Sequence, residues 1–393
     1  NHSMGSQNHS MGSQNRSMGS QNHSMESQNR SMGSQNHSMG SQNRSMGSQN
    51  HCNSAKNKLA SLAAVCTFAN KNVIGTDLDY AIALLQQDEL VAIPTETVYG
   101  LAGNALHDKP VSQIFAVKNR PSFDPLIVHT SSLERLQSFV TDFPEKARIL
   151  AAAFLPGPLT LLLPKKALIP DIVTAGSPLV ALRIPQHPLT LQLLQQLDFP
   201  LAAPSANPFG YISPTTAQHV AQQLGEKIPY ILDGGACAVG LESTIVGFEQ
   251  ERVVVYRKGG IPIEAIEALV GRVGVQPHST SNPQAPGMLQ SHYAPRVPLV
   301  LGDINTLLAK HEGKRIGIIS FQKTFPTSSA YHAITLSPSG NFAEAARQLF
   351  AGMRYLDGLK LDVIIAELLP EANLGRAIND RLRRAAAVDE RRE

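Results

Sequence analysis

From Val73 onward, short apolar runs alternate with longer stretches of helical periodicity, and no other feature restricts the fold of this chain as much. The runs LVAI (90–93), PLIVH (125–129), LTLLL (159–163), LVALRI (179–184) and RVVVY (252–256) have the length of strands. Helical patterns fall near 77–87, 110–118, 144–154, 188–197, 214–224 and 262–270, several of them opened by Asp, Ser or Pro in a starting role. Strands with helices packed on them follow, which is the α/β class.

Three other segments set the domain plan. Residues 1–49 are seven copies of the heptad N-[HR]-S-M-[GE]-S-Q, and one Met per seven residues offers too little apolar surface to offset backbone ordering. This segment is expected to be disordered and to play no part in chemistry. Its His2, His9, His23 and His37 invite a metal-binding reading, but Arg replaces His in the other copies and a flexible chain preorganises nothing, so no metal site is expected. The main α/β body then spans 73–273. Residues 274–297, rich in Pro, Ser and Gln and without periodicity, read as a linker. Beyond it, VPLVLG, RIGIISF (315–321), an amphipathic helix near 341–357, the strand LDVIIAEL and an Arg-rich helix from 374 make 298–393 a second, smaller α/β domain.

Charge and cysteines exclude several classes. The repeats hold Arg16, Arg30 and Arg44 against Glu26, a net +2 of the formal +3, so the rest of the chain is nearly neutral. That excludes a mainly electrostatic nucleic-acid coat or membrane-surface protein, though not a local basic pocket. No run approaches the roughly 18 apolar residues of a membrane span, and the N-terminus lacks the apolar stretch of a secretory signal. Cys52, Cys66 and Cys237 form neither a metal spacing nor a disulfide framework. A cytoplasmic enzyme is the expectation.

Standard phosphate-loop, dinucleotide, zinc-protease and nucleophile-elbow motifs are all missing from the sequence. Polar residues stand instead at the ends of apolar strands, in PTETVYGL (94–101), KNRPSFDPLIVH (118–129), ALRIP (181–185), AAPSANPFG (202–210), LESTIV (241–246) and YRKGGI (256–261). Strand ends are where open sheets place ligands. Lys118 and Arg120 leave a helical pattern just before a proline, which suits either an anion site or a solvated helix end. Arg183 interrupts a strand of buried type and requires a carboxylate, internal or from a ligand. Arg257 precedes Lys258 and two glycines, a layout suited to an anion or to plain surface charge. Ser205 and Asn207 fit a rigid strand terminus or a turn cap, His129 a ligand contact or a satisfied core imidazole, and Thr95 and Thr97 ordinary strand polarity.

Taken together and in order, PTETVYGL, K-x-R-P followed by PLIVH, PGPLTLLL, VALRIP, APSAN, and STIV followed by YRKGG resemble the YrdC-like catalytic module of threonylcarbamoyl-AMP synthases. The HYAP tetrapeptide (292–295) and the second α/β domain resemble the long form of that family, and the likeness covers about 73–393. It implies a YrdC-like twisted mixed sheet with helices, joined to a smaller Rossmann-like domain. It also implies an enzyme that condenses L-threonine, bicarbonate and ATP into threonylcarbamoyl-adenylate and pyrophosphate, for modification of a tRNA adenosine beside the anticodon. In such a reaction the amine attacks bicarbonate and the new carboxylate attacks the α-phosphate, so positioned cations matter more than a protein nucleophile.

By motif, the resemblance gives Lys118, Arg120, Ser205 and Asn207 catalytic roles at the triphosphate and reacting carboxylate. Thr97, His129, Arg183, Ala203 through its backbone, and Ser243 fall on the threonine side. Arg120, Asp124, Leu179 through its backbone, Ser205, Ser213, Arg257, Tyr293 and Arg296 fall on the ATP side, and the linker is expected to close over the nucleotide. Mg²⁺ is expected, held through phosphates and water. Competing readings are a double-stranded RNA or tRNA-binding module of the same fold, which the near-neutral charge disfavours, and a carbamoyl transferase, which three scattered cysteines disfavour.

Overall fold

The computed structural model describes residues 73–250, 252–276, 285–289, 292–326, 328 and 330–387. The heptads of 1–49, Cys52 and Cys66, and the linker residues 277–284 and 290–291 lie outside the described residues. The first part of the chain forms β1 (Ile74–Gly75), α1 (Leu78–Gln86), β2 (Val91–Ile93), β3 (Gly100–Asn104), α2 (Asp108–Lys118), β4 (Ile127–His129), α3 (Leu133–Ser138), α4 (Glu145–Phe154) and β5 (Leu159–Pro164). It continues through α5 (Asp171–Thr174), β6 (Leu179–Arg183), α6 (Pro188–Gln196), β7 (Leu201–Ala202), α7 (Ala217–Leu224), β8 (Tyr230–Leu232), β9 (Thr244–Glu249), β10 (Arg252–Arg257), α8 (Ile263–Val270) and β11 (Gly274–Val275). These strands form one mixed sheet in the order β1-β8-β2-β3-β7-β4-β6-β5-β9-β10-β11. The helices α3 and α5, of six and four residues, escape any periodicity search because each is shorter than two turns.

A period of two along the strands divides this sheet into two faces. Val128, Val180, Leu182, Leu161, Val246 and Val255 point into a core closed by α2, α4 and α8, through residues such as Ile114, Leu150 and Ile266. Ile127, Ala181, Leu162, Ile245, Val254 and Tyr256 point the other way and meet Ala285 and Met288 of the linker. The linker is therefore a cover for a sheet face as well as a connection. Burying Met288 alone contributes on the order of 2 kcal/mol. Gly274 and Val275, placed in the linker by composition, extend the sheet beside β10 in parallel register.

The second sheet comprises β12 (Leu299–Leu301), β13 (Ile316–Ser320), β14 (Tyr331–Thr335) and β15 (Val363–Ala366), with α9 (Ile304–Lys310), α10 (Phe342–Asp357) and α11 (Gly375–Ala386). Its order is β12-β15-β13-β14 and every pairing is parallel. Ile316, Ile318, Val363 and Ile365 face α9, while Ile319, Ile364 and Ala366 face α10 and α11. Val98, Tyr211, Ile212, Leu241 and Tyr293 join that second cluster, so the loops at the ends of the large sheet are packed directly on the smaller domain. Among the described residues, no helix is long and apolar enough to cross a membrane.

Candidate active site

The same period of two that splits the sheet aims three polar strand-end residues at the linker side. β4 and β6 run parallel with Ile127 opposite Ala181 and His129 opposite Arg183, so the imidazole and guanidinium emerge side by side, in step with the face that carries Ile127. Ser243 stands two residues before Ile245 of that face. Around these residues lies a cavity also lined by Thr95, Thr97, Val98, Arg120, Ala203, Ser205, Glu242, Arg257, Gly287, His292 and Tyr293. Its floor is the end of the large sheet and its roof is the linker.

Local hydrogen bonding explains how the strand-end motifs hold their shapes. In PTETVYGL, Thr95 Oγ1 donates to the Val98 carbonyl at 2.6 Å and accepts the Thr97 and Val98 amides at 3.2 Å each, closing a turn after β2. Thr97 Oγ1 then accepts from Nη1 of Arg183 at 2.9 Å. Arg183 also donates through Nε to the Gly157 carbonyl and pairs at 2.6 Å with Glu96. The internal carboxylate that its burial demanded is therefore Glu96, which the sequence reading had not singled out. His129 is buried, its Nδ1 has no partner among the described residues, and burial beside the Arg183 cation pushes its pKa down to about 3. This neutral imidazole lines the cavity wall, with the Ile127 and Leu201 carbonyls pulling its pKa the other way.

The cationic side of the cavity is equally buried. Asn119, in the left-handed region at φ 51°, ends α2 and turns the chain so that the Arg120 amide bonds back to the Phe115 carbonyl. Lys118 lies on the buried face of α2 with Val111, Ile114 and Phe115: it is 1% exposed and its Nζ donates to the Ser205 and Asn207 carbonyls at 2.5 Å each. Burial, then the neighbouring Arg120 cation, push its ammonium well below the ordinary lysine range, with Asp124 opposing. Arg120 lies 2.9 Å from Asp124 and donates to the Asp124 and Pro125 carbonyls. Neither residue is at a solvated helix end. Arg257 is also buried, donates to the carbonyl and hydroxyl of Ser243 at 3.0 and 3.1 Å, and is pushed down to about 10 by burial. The glycine pair after it has a steric cause, because a Cβ on Gly259 would come within 2.4 Å of the Glu242 carbonyl.

The linker supplies the roof. Gly287 has φ +73°, and a Cβ there would approach Nη1 of Arg257 at 3.1 Å. Tyr293 has φ +65°, a conformation that costs an aromatic residue about 1–3 kcal/mol. It is held by stacking on Phe350 at 5.5 Å and by the guanidinium groups of Arg381 and Arg384, 5.0 and 4.7 Å from its ring. Arg381 belongs to α11, is fully buried, and pairs at 2.9 Å with Glu242 in the cavity wall and at 2.7 Å with Asp380. Burial opposes ionisation of Glu242, but Arg381 and Arg257 outweigh it and hold the carboxyl below its usual range.

Several residues expected on the ATP side stand elsewhere. Ser213 is buried and donates to Glu242 at 2.5 Å rather than lining the cavity. Asp124 is buried behind Arg120, facing neither open space nor a metal site, and burial raises its pKa against the pull of Arg120. Leu179 packs at the apolar patch beneath the linker. The Arg296 side chain is 74% exposed and pairs with Asp357 at 3.2 Å, turned away from the cavity. Asn207 lies under the loop, its amide donating to the Pro208 and Tyr211 carbonyls. Glu96, Glu242, Arg381 and Arg384 were missed. Only the polar interruption of an apolar setting by Glu96 and Glu242 offered a signal, and for the two arginines a long-range packing contact is required that no local pattern carries.

A mixed sheet ending in a cavity walled by buried cations, roofed by a linker and braced by a second α/β domain defines a two-domain anion-handling α/β protein. A family model described as telomere recombination matches residues 83–259, and one described as threonylcarbamoyl-AMP synthase, C-terminal domain, matches 261–387. The chain is 40% identical over 322 residues to the threonylcarbamoyl-AMP synthase of Pyrococcus abyssi, covering 78% of this chain and 93% of that one. With the Bacillus subtilis enzyme of the same name it is 41% identical over 318 residues, covering 78% and 92%. The crystal structure of P. abyssi Sua5 complexed with L-threonine aligns with a TM-score of 0.74 at 39% identity, covering 80% of this chain and 96% of that one. The chain belongs to the threonylcarbamoyl-AMP synthase family, in its long two-domain form, and is an enzyme.

Proposed function

We propose that this chain is an L-threonylcarbamoyladenylate synthase, a nucleotidyltransferase joining L-threonine, bicarbonate and ATP. The observation that carries the reading is the division of one buried cavity into two chemistries. Arg183 is hydrogen-bonded to Thr97 and stands beside His129 on the neighbouring strand, while Arg120 and Arg257 are lining cations close to Tyr293. Among the described residues, no lining hydroxyl is hydrogen-bonded to a lining histidine, so nothing there resembles an activated protein nucleophile.

Arg183 binds and orients the amino acid through its carboxylate, and His129, neutral at working pH, borders the amine. The neutral threonine amine attacks the bicarbonate carbon, the hydroxyl leaves as water with a proton from the nitrogen, and an oxygen of the resulting carbamate attacks the α-phosphate as its bond to pyrophosphate breaks. Lys118 braces the Ser205–Asn207 loop from below, and Arg120 and Arg257 hold the anionic groups where charge gathers in the transition state. Tyr293 and the linker exclude water from a product that hydrolyses readily. The two carboxylates nearest the cationic side, Glu242 and Asp124, are engaged by arginines, and no cluster of three metal-ligating side chains occurs among the described residues. Mg²⁺ would therefore be held by the phosphates and water, neutralising their charge when bound. Such a product would feed tRNA modification in the cytoplasm. Mass analysis of a reaction with isotopically labelled bicarbonate tests this reading: the label should appear in a threonine–AMP adduct, and an adduct without it would contradict the route.

A further inference from the structure

Among the described residues, Glu96 is the carboxylate paired with Arg183, yet it does not line the cavity. It is 5% exposed. One of its oxygens lies 2.6 Å from Nη2 of Arg183, the other accepts the Gln186 amide at 3.0 Å, and its backbone carbonyl accepts the Val239 amide at 2.7 Å. A guanidinium carries five N–H groups in a rigid fork. In Arg183, Nε gives one to Gly157, Nη1 one to Thr97 and Nη2 one to Glu96. One N–H on each terminal nitrogen is left over, on a side chain whose cavity-facing position is already fixed.

We propose that Glu96 is a positioning residue for recognition of the amino acid's carboxylate, holding Arg183 so that its two remaining N–H groups form a preset pair. The inference rests on the reading of Arg183 as the threonine-side cation. Two physical effects favour it. A long side chain that is already ordered does not lose its rotamer freedom when the ligand arrives. A buried cation also needs a partner before the ligand arrives, and Glu96 supplies one from outside the cavity. The opposite role is a competitor that the substrate carboxylate must displace. Glu96 is poorly placed for that, because its second oxygen is tied to Gln186 and its backbone to Val239, away from the space a ligand would fill.

The two roles differ in sign. Glu96→Gln keeps the size and removes the charge, and it should raise the Kd for L-threonine roughly tenfold, read by calorimetry, with the KM for ATP unchanged. Unchanged or tighter threonine binding would overturn the proposal. Adding Glu96→Gln to Arg183→Lys should weaken threonine binding no further, because Glu96 acts through Arg183; additive losses would count against it. If Glu96→Gln does not fold, Glu96→Asp, which keeps the charge but draws it back by one methylene, should still weaken threonine binding, and wild-type affinity in that variant would sink the idea. Failure of the wild-type protein to bind L-threonine would instead remove the functional reading on which the proposal stands, and the proposal with it.

Discussion

Arg183 and Lys118 are both buried cations beside one cavity, yet their surroundings give them different work. Arg183 opens onto the cavity with unused donors, whereas Lys118 spends its contacts on the carbonyls of the Ser205–Asn207 loop. Arg183→Ala should raise the KM for threonine far more than that for ATP, since a lost contact to a desolvated carboxylate is worth roughly 2–5 kcal/mol. Lys118→Ala should mainly lower kcat, because the loop it supports presents Ser205 to the cavity. Steady-state kinetics with each substrate varied separates the two, and the same kinetic change in both variants would contradict this division. At this scale the sequence was informative about residue type and weak about placement. Arg183 could be read as buried because it breaks an apolar strand, and Lys118 continues the buried face of α2 with Val111, Ile114 and Phe115, but its partners, the Ser205 and Asn207 carbonyls, lay beyond any local pattern. Ser213 and Asp124 illustrate the converse: their motifs were legible, while their partners Glu242 and Arg120 decide that they face away from the cavity.

Among elements, the strands and long helices were legible because their apolar periods are long and regular, as in α10, where the expected 341–357 is met by Phe342–Asp357. The linker was not. Its composition resembles a solvated spacer, yet Ala285, Met288, Leu289, His292, Tyr293 and Ala294 are all buried, with Ala285 and Met288 on a face of the large sheet and Tyr293 on the second domain, partners that no local window reveals. Its roof position, with a strained Tyr293 over the cavity, supports a lid. Limited proteolysis should then show protection near Tyr293 when ATP and threonine are added together, whereas equal cleavage with and without them would mark a passive spacer. Tyr293→Ala should release more AMP and free threonine per product formed than the wild type, measured by product ratio. Arg296, expected to assist, points to Asp357 instead and is left out of that variant.

For the whole molecule, the second domain braces the cavity, since Arg381 of α11 reaches Glu242 in the cavity wall and the ring of Tyr293 in its roof. Removing one member of a buried ion pair typically costs about 3–5 kcal/mol, so Arg381→Ala should lower the melting temperature and also the activity that survives at low temperature. A variant that loses stability but keeps full turnover where it is folded would show that α11 only braces the fold. Nothing in the order of motifs forecast this contact, because Glu242 and Arg381 are 139 residues apart in the chain. The class of the fold and the two-domain plan were legible in the alternation of strands and helices; the joint between the domains became visible only in three dimensions. The account as a whole stands on the claim that this cavity joins an amino acid to ATP through bicarbonate. Its most direct measurement is pyrophosphate release from ATP without RNA, with threonine and bicarbonate omitted in turn: release that requires both is the predicted result, and full-rate release in carbonate-depleted buffer without threonine would contradict it.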